Sequence, residues 1–258
     1  MKPLRKLLSR SDQSLLVREA ADLLPNPLRR RFLASAMGAG SLAMLTGCSI
    51  IDSDSAERAL RHVSSFNDRV QALLFSGNKL AREFPASMIT RPFPFNAFYP
   101  EKDAPIVEAS DYALEVGGLV SDTTPWSLAR LALLPQQRQI TQLICIEGWS
   151  AIGEWNGVPL ATFLRRIGAD LTARYVGFRC ADNYSTSLDM PTALHPQTQM
   201  TLRFCGETLP VKYGFPLKVR VPTKLGFKNP KHVVEILVTN ELPAGFWEGY
   251  GYNWFSGL

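Results

Sequence analysis

The sequence predicts an α+β fold that is rich in β-strands and is preceded by one amphipathic helix. Near the N-terminus, apolar residues recur every three or four positions, as on one face of a helix. From Tyr112 onward, short alternating or continuous apolar runs are bounded by Gly and Pro, which is typical of strands. After an N-terminal leader, roughly 210 residues remain, enough for one domain with a sizeable core.

The first 48 residues have the pattern of an export signal. Leu28–Ala34 contains Arg29 to Arg31 followed by Phe-Leu, and it resembles the twin-arginine pattern. The uncharged run 32–45 is shorter than the about 20 residues of a membrane span but suits a signal peptide. It ends at Cys48 in a sequence that resembles a lipobox. We expect a periplasmic or otherwise exported protein that is anchored to the membrane through Cys48; an ordinary signal or an uncleaved anchor is the alternative.

The charge balance argues against nucleic-acid binding. Residues 1–48 hold eight of the 28 basic and three of the 23 acidic residues, which leaves 20 of each. The net charge of +5 therefore belongs to the leader, and the rest of the chain is neutral. The basic pI therefore gives no support for nucleic-acid binding by the rest of the chain, and no nucleic-acid partner is expected.

Residues 49–91 are predicted to form a linker and the amphipathic helix, which ends before Gly77. Its apolar positions are Leu60, Val63, Phe66, Val70, Leu73 and Leu74. Three prolines then make 91–100 an extended segment. The following patterns predict strands at Tyr112–Val116, Gln139–Ile146, Arg174–Phe178, Met200–Phe204, Leu217–Val221 and His232–Val238. Two helices are predicted at Trp126–Leu134 and Leu160–Ile167.

Cys145 lies where a predicted strand meets a Gly-containing turn. A thiolate is a soft ligand, so a cysteine held at a strand end suits a transition metal. No two of the four cysteines form a Cys-x-x-Cys pair, which leaves zinc ribbons, iron–sulfur clusters and c-type haem without support. Cys180 and Cys205 are expected to be small buried side chains. His62, His195 and His232 lack metal-ligand spacing and are expected to be structural or exposed.

Two sequence blocks resemble the molybdopterin-binding domain of the sulfite oxidase superfamily. The first is Cys-x-Glu-Gly-Trp-Ser at 145–150 with Gly-Val-Pro-Leu at 157–160. The second is 214–222, followed by Gly-Phe-Lys at 226–228 and Lys231; a weaker match is 96–99. The resemblance covers 92–258 and implies the β-rich mixed fold of sulfite oxidase type, with molybdenum bound to one pterin per metal.

The resemblance also implies a set of site residues. Cys145 matches the metal ligand, and Cys145 with Tyr99 is the implied catalytic pair. The implied cofactor-binding residues are Asn96, Tyr99, Cys145, Cys180, Lys218, Gly226, Phe227, Lys228 and Lys231. Lys218, with Arg220 and the lysines that follow, provides cations for the pterin phosphate. Lys212 and Lys224 are expected to face solvent.

Several departures from the family bear on the substrate. Lys218 replaces a usual Arg, and Cys180 replaces a usual Thr. Sulfite oxidases hold their anion with arginines, yet no basic residue follows Cys145 before Arg165. The pocket mouth is therefore expected to be lined by Trp149 and by Tyr99 or Tyr184, unless arginines at 91, 179 or 203 fold back. The loop with Tyr184 and Ser185 borders the substrate funnel or is a plain loop.

The chain is expected to be an exported enzyme that transfers an oxygen atom at a Cys-ligated molybdenum. The expected substrate is a small oxo compound such as a sulfoxide. The export signal, the Cys-x-Glu-Gly-Trp-Ser form and the chain end at Leu258 resemble the catalytic subunit of bacterial methionine-sulfoxide reductases. A haem- or quinone-linked membrane protein is the expected redox partner. Sulfite oxidation is one alternative; a non-catalytic lipoprotein that binds a cofactor or partner is another. The aromatic tail 246–255 either caps the core or shapes the pocket.

Overall fold

The computed structural model describes residues 53–75, 77 and 79–258. The predicted leader, with Arg29–Arg31 and Cys48, lies outside these residues. Within the described part, the helices are too short or too polar to cross a membrane. Residues 61–258 form one compact unit.

The strands in chain order are β1 (Glu115–Gly118), β2 (Gln137–Ile144), β3 (Ser150–Pro159), β4 (Tyr175–Cys180), β5 (Ser185–Asp189), β6 (Gln199–Phe204), β7 (Glu207–Thr208), β8 (Lys218–Arg220) and β9 (Val233–Thr239). The helices are α1 (Ser53–Leu74), α2 (Leu128–Ala132), α3 (Leu160–Arg166), α4 (Met190–Ala193) and α5 (Phe246–Gly249). One sheet has the order β1-β9-β4-β5, in which β1 and β9 are parallel. The other has the order β2-β3-β6-β7, and β8 also pairs with β6. This mixed, β-rich architecture confirms the α+β expectation.

Strands β2 and β3 form the hairpin that positions Cys145. Their antiparallel register runs from Gln137 opposite Gly157 to Ile144 opposite Ser150. Cys145 is the first residue of the connecting turn, and its N–H donates to the carbonyl of Trp149 at 2.9 Å. The turn needs Gly148, whose φ of +90° is costly for residues with a Cβ. The cysteine therefore lies at the end of a paired strand, as the sequence predicts.

Two apolar clusters support this hairpin. The larger one contains side chains from both sheets, from α3 and from the segment before α2, among them Val176, Phe163 and Trp126. The smaller one packs Phe93 against Trp155, Phe204 and Tyr213, with ring centroids 5.2–5.4 Å from Phe93. Edge-on contacts at such distances stabilise aromatic clusters. Phe93 thereby fixes the proline-rich segment against β3, directly before the residues that reach the site.

The predicted helices and strands lie at the observed positions along the chain, but several of their end residues differ from those in the structure. Helix α1 begins earlier than its apolar pattern, and α2 is shorter than the predicted 126–134. The predicted strands around Cys145, 176, 202, 219 and 236 are all present within a few residues. The interpretation missed β3 and β5, and it treated the start of β5 as a loop.

Candidate functional site

An open pocket with about 600 Å³ of empty space lies beside the end of β2. Its lining includes six residues that the sequence singled out: Asn96, Cys145, Tyr184, Gly226, Phe227 and Lys231. These come from the proline-rich segment, the β2–β3 turn, the β4–β5 connection and the chain between β8 and β9. The fold therefore brings the two sequence blocks and the weaker match into one concave site.

Cys145 lines this pocket with its side chain largely covered. The residue is 8% exposed, and its Sγ lies 3.6 Å from Glu147 Oε2. Burial is the main reason that the pKa of the Cys145 thiol is raised. A neighbouring cation, such as a bound metal, reverses this preference because it stabilises the thiolate. The same Glu147 oxygen accepts a hydrogen bond from Trp149 Nε1 at 2.9 Å, which ties the turn together.

Gly226 allows the second block to approach Cys145. A Cβ at Gly226 would lie 3.3 Å from the carbonyl oxygen of Ile144 and 3.5 Å from Cys145 Cα. The 3₁₀ turn Gly226–Lys228 follows, and Asn229 closes it by donating from Nδ2 to the Leu225 carbonyl at 3.0 Å. The glycine-phenylalanine pair thus lines the pocket directly beside the metal-ligand candidate.

Three buried cations lie at or behind the pocket wall. Lys218, Arg220 and Lys231 are 2%, 0% and 8% exposed. Lys218 Nζ donates to the Asn229 carbonyl at 3.2 Å, and Arg220 Nη1 donates to Asn229 Oδ1 at 2.7 Å. Lys231 Nζ donates to the Asn96 carbonyl at 2.5 Å. All three therefore contact neutral oxygens.

Burial lowers the pKa of each of these cations. It lowers that of Lys231 to about 8 and that of Arg220 to about 9. For Lys218, burial acts first, followed by the charges of Lys231 and Arg220, and the pKa lies well below its usual range. Arg220 Nε has no hydrogen-bond partner. Buried cations that lack a carboxylate in direct contact suit a bound anion, and the donor set fits the phosphate of a pterin cofactor.

Two other lysines of the second block have different environments. Lys228 Nζ contacts Glu248 Oε1 at 2.6 Å, so its charge is already paired within the chain, and Lys228 does not line the pocket. The expectation that Lys224 faces solvent is wrong. Lys224 is 1% exposed, and its Nζ lies 2.9 Å from the centroid of the Phe255 ring because the C-terminal segment covers it. Lys212 is partly exposed and pairs with Glu101, as expected of a surface lysine.

Tyr99 and Cys180 lie outside the pocket lining. The hydroxyl of Tyr99 donates to Asp182 Oδ2 at 2.9 Å, and the backbone N–H of Tyr184 donates to Asp182 Oδ1 at 3.0 Å. Asp182 itself lines the pocket, so Tyr99 contacts the site through it. Cys180 is 2% exposed; burial, then Asp182, raises the pKa of its thiol well above the usual value.

Sequence reasoning missed much of the aromatic wall. Phe98 and Trp247 line the pocket, and the Phe98 ring stacks on Phe246 with centroids 4.6 Å apart. The sequence feature that could have indicated this wall is the aromatic tail 246–255. The tail has both suggested roles, because Trp247 lines the pocket and Phe255 is buried in the body of the protein. Tyr184 lines the wall as expected, whereas Trp149 does not.

The described residues place no arginine in the pocket lining. Arg179 pairs with Glu235 and Glu115, and Arg203 donates to the Gly206 carbonyl. The ionisable residues of the lining are Cys145, Glu147, Asp182 and Lys231. The charged side chains among them do not give the excess of positive charge that would select a small dianion.

The histidines have structural roles or are exposed. His195 Nδ1 accepts from the Gln197 N–H at 3.2 Å, and His232 Nδ1 lies 2.6 Å from the Phe215 carbonyl. His62 is exposed. In the part of the chain that the structure describes, no cluster of three His, Cys, Asp or Glu side chains could hold a metal ion.

Comparisons with known proteins agree with this geometry. A family model described as the oxidoreductase molybdopterin-binding domain matches residues 101–247. The chain is 58% identical to the putative protein-methionine-sulfoxide reductase subunit YedZ1 of Azospira oryzae, over 90% of this chain and 88% of that one. It is 32% identical to the protein-methionine-sulfoxide reductase catalytic subunit MsrP of Ralstonia nicotianae, over 65% of this chain and 60% of that protein.

The solved structures give the same fold. The sulfane dehydrogenase SoxCD from Paracoccus pantotrophus superposes with a TM-score of 0.51, over 54% of this chain and 40% of that chain. The sequences are 20% identical, so this likeness concerns the fold alone.

Proposed function

Because the chain belongs to the oxidoreductase molybdopterin-binding family, we propose that it is the catalytic subunit of an exported sulfoxide reductase with Cys145 as the molybdenum ligand. It is a molybdenum-dependent oxidoreductase that binds molybdopterin. The observation that carries the finer proposal is the pocket, in which Cys145 faces aromatic side chains with no arginine beside it.

Different residues of the chain would hold different parts of the cofactor. Cys145 supplies the thiolate, and Gly226 leaves space for a close approach. Lys231, which lines the pocket, would hold the phosphate through a charge-assisted hydrogen bond, and the buried Lys218 and Arg220 would add positive charge behind the pocket wall. The bound cofactor supplies two-electron chemistry with transfer of one oxygen atom.

The pocket suits a neutral substrate. Phe98, Phe227 and Trp247 provide an apolar wall for a thioether or alkyl group. Asp182 and Glu147 place carboxylates in the same lining, and these repel sulfite and other small anions. Reduction of a sulfoxide consumes two electrons and two protons and releases a thioether and water. The names of the relatives at 58% and 32% identity support the same substrate class.

The electrons come from outside the chain in this proposal. A haem- or quinone-linked membrane protein delivers them, and export through the twin-arginine-type signal with lipid attachment at Cys48 brings the enzyme close to that partner. The motivation is the sequence of residues 28–48.

The test uses holoenzyme from a host that makes molybdopterin. We expect about one molybdenum per chain, reduction of methionine sulfoxide by a reduced dye, and weak or absent sulfite oxidation. Cys145→Ser should abolish activity and change the molybdenum spectrum while the domain stays folded, because a hydroxyl is a poor substitute for a thiolate. The matched control is Cys205→Ser, which alters a thiol outside the pocket.

Three results would contradict the proposal in different ways. A well-folded protein without molybdenum favours the non-catalytic lipoprotein. Efficient sulfite oxidation with no turnover of any sulfoxide favours the sulfite oxidase-like alternative. An active Cys145→Ser variant with an unchanged metal spectrum removes Cys145 as the ligand.

A further inference from the structure

Helix α1 exposes the apolar side that its sequence pattern would place in a core. Val63, Phe66 and Val70 are 57%, 63% and 38% exposed, and Leu73 and Leu74 are 85% and 76% exposed. At 100° per residue, these five side chains lie within one stripe along the helix. A continuous apolar stripe of this kind marks an interaction surface, in contrast to scattered apolar residues.

The polar side of the same helix contacts the body of the protein. Asp68 Oδ1 accepts the Phe255 N–H at 2.6 Å, and Gln71 Oε1 accepts the Gly257 N–H at 3.0 Å. Just after the helix, the Phe75 ring packs edge-on against Phe255 with centroids 6.0 Å apart. These contacts fix the rotation of the helix about its axis, so the apolar stripe faces away from the C-terminal segment.

We propose that α1 lies flat in a lipid bilayer surface, with Val63, Phe66, Val70, Leu73 and Leu74 in the acyl region. This inference rests on the proposed lipid attachment at Cys48. Only four residues separate Cys48 from Ser53, so fully extended chain over these five Cα–Cα steps reaches about 18 Å from the anchor to the start of the helix. A lipid at Cys48 therefore holds the helix beside the bilayer, at a high effective concentration.

The chemistry of the helix favours lipid over a protein partner. The helix is amphipathic and too polar to span a membrane, which is the character of an interfacial helix. Arg69 is exposed and lies four residues before Leu73, at the edge of the stripe, where a guanidinium can reach lipid phosphates. A second copy would have to form a stable dimer over five side chains, far fewer than the roughly 20 to 30 residues per side of a standard interface.

The experiment measures lipid contact at neighbouring positions of the full-length protein. A bimane label is attached to Phe66→Cys in the stripe or to Ser65→Cys, which is exposed on another side of the same turn. Both are made in a Cys205→Ser background, because Cys145 and Cys180 are buried. The holoenzyme is reconstituted into vesicles of phosphatidylcholine and phosphatidylglycerol that carry nitroxide-labelled acyl chains. Molybdenum content and dye-linked activity check that both variants are folded.

We expect quenching at position 66 to exceed that at position 65 by at least fivefold. Equal quenching at the two positions overturns the proposal. Shielding of position 66 only when the host's membrane proteins are present also overturns it, in favour of a protein partner.

Mass spectrometry of the Cys48 peptide tests the anchor separately. If Cys48 is acylated and the two positions are quenched equally, the anchor stands and the helix proposal fails. If Cys48 is not acylated and position 66 is still quenched selectively, the helix proposal stands and the anchor fails.

Discussion

Of the three buried cations Lys218, Arg220 and Lys231, Lys231 is the one that lines the pocket. Its ammonium is held by the Asn96 carbonyl, and burial lowers its pKa to about 8 in the protein without cofactor. An ammonium in this place weakens the unliganded fold, because it has left water without a carboxylate in direct contact. The same feature stabilises an anion that enters the pocket. In the proposed function, the site therefore trades stability of the empty protein for cofactor affinity.

This trade predicts a pH dependence of stability. A lysine with a folded pKa near 8 and an unfolded value near 10.5 is charged in both states below pH 8, where its destabilising effect is complete. Between these values the unfolded chain binds more protons, so the free energy of unfolding rises with pH. We expect apoprotein stability, relative to Lys231→Gln, to rise above pH 8 by at most about 1.4 kcal/mol per pH unit. Urea unfolding between pH 7.5 and 10 measures it; a flat or falling difference contradicts it.

Site residues could be predicted from the sequence where a motif carried them. Cys145, Gly226, Phe227 and Lys231 belong to the two blocks, and all four line the pocket. Asp182 lies in no motif. The sequence could not single it out, because a lone carboxylate in a loop resembles any surface residue. Aromatic residues of the wall come from distant parts of the chain, and only the fold brings them together. The roles implied for all of these site residues, and for Tyr99, Cys180 and Lys228, stay predictions.

Among the elements, strand β3 lies inside its sheet but was not predicted, and its composition explains why. Its inward positions are Ala151, Gly153, Trp155 and Gly157, so the alternation that marks a strand is carried largely by small residues. Close packing explains this choice: a Cβ at Gly153 would lie 3.0 Å from the rings of Phe93, Trp155 and Phe204. Strand β5 was lost for a related reason, because its buried side chains at 186 and 187 are hydroxyls.

Gly157 gives a prediction at this scale. The pairing of β3 with β6 shifts register between Asn156 and Gly157, and a Cβ at Gly157 would lie 2.0 Å from the Met200 carbonyl oxygen. Backbone atoms cannot yield as a flexible side chain does, so Gly157→Ala must separate the strands. We expect a loss of roughly 3 kcal/mol in the free energy of unfolding. Gly249→Ala is the control, because a Cβ there meets no atom within 4 Å. Equal unfolding midpoints for the two variants would show that β6 can move.

For the whole molecule, the proposed attachment at Cys48 and the proposed lipid contact of α1 would act together. Acyl attachment at Cys48 combined with the apolar side of α1 would be stable because it supplies two membrane signals, whereas an amphipathic helix by itself binds lipid reversibly. Cys48→Ala should therefore release the protein from membranes washed with alkaline carbonate, even if α1 remains intact. Fractionation followed by immunoblotting measures the release. Protein that persists in the washed membranes indicates an uncleaved anchor.

Export itself is predicted to depend on the arginine pattern and not on charge alone. Arg29→Lys/Arg30→Lys/Arg31→Lys keeps three positive charges but replaces planar guanidinium groups, with their forked donors, by point-like ammonium groups. We expect the triple variant to accumulate as precursor in the cytoplasm, because the pathway that this signal resembles reads the arginine pair. The matched control replaces Arg5, Arg10 and Arg18 by lysine, three upstream arginines outside the pattern, and should be exported normally. Comparison of precursor and processed bands in cytoplasmic and periplasmic fractions gives the result. Undiminished periplasmic protein from the triple variant would mean that a different route carries the chain across the membrane.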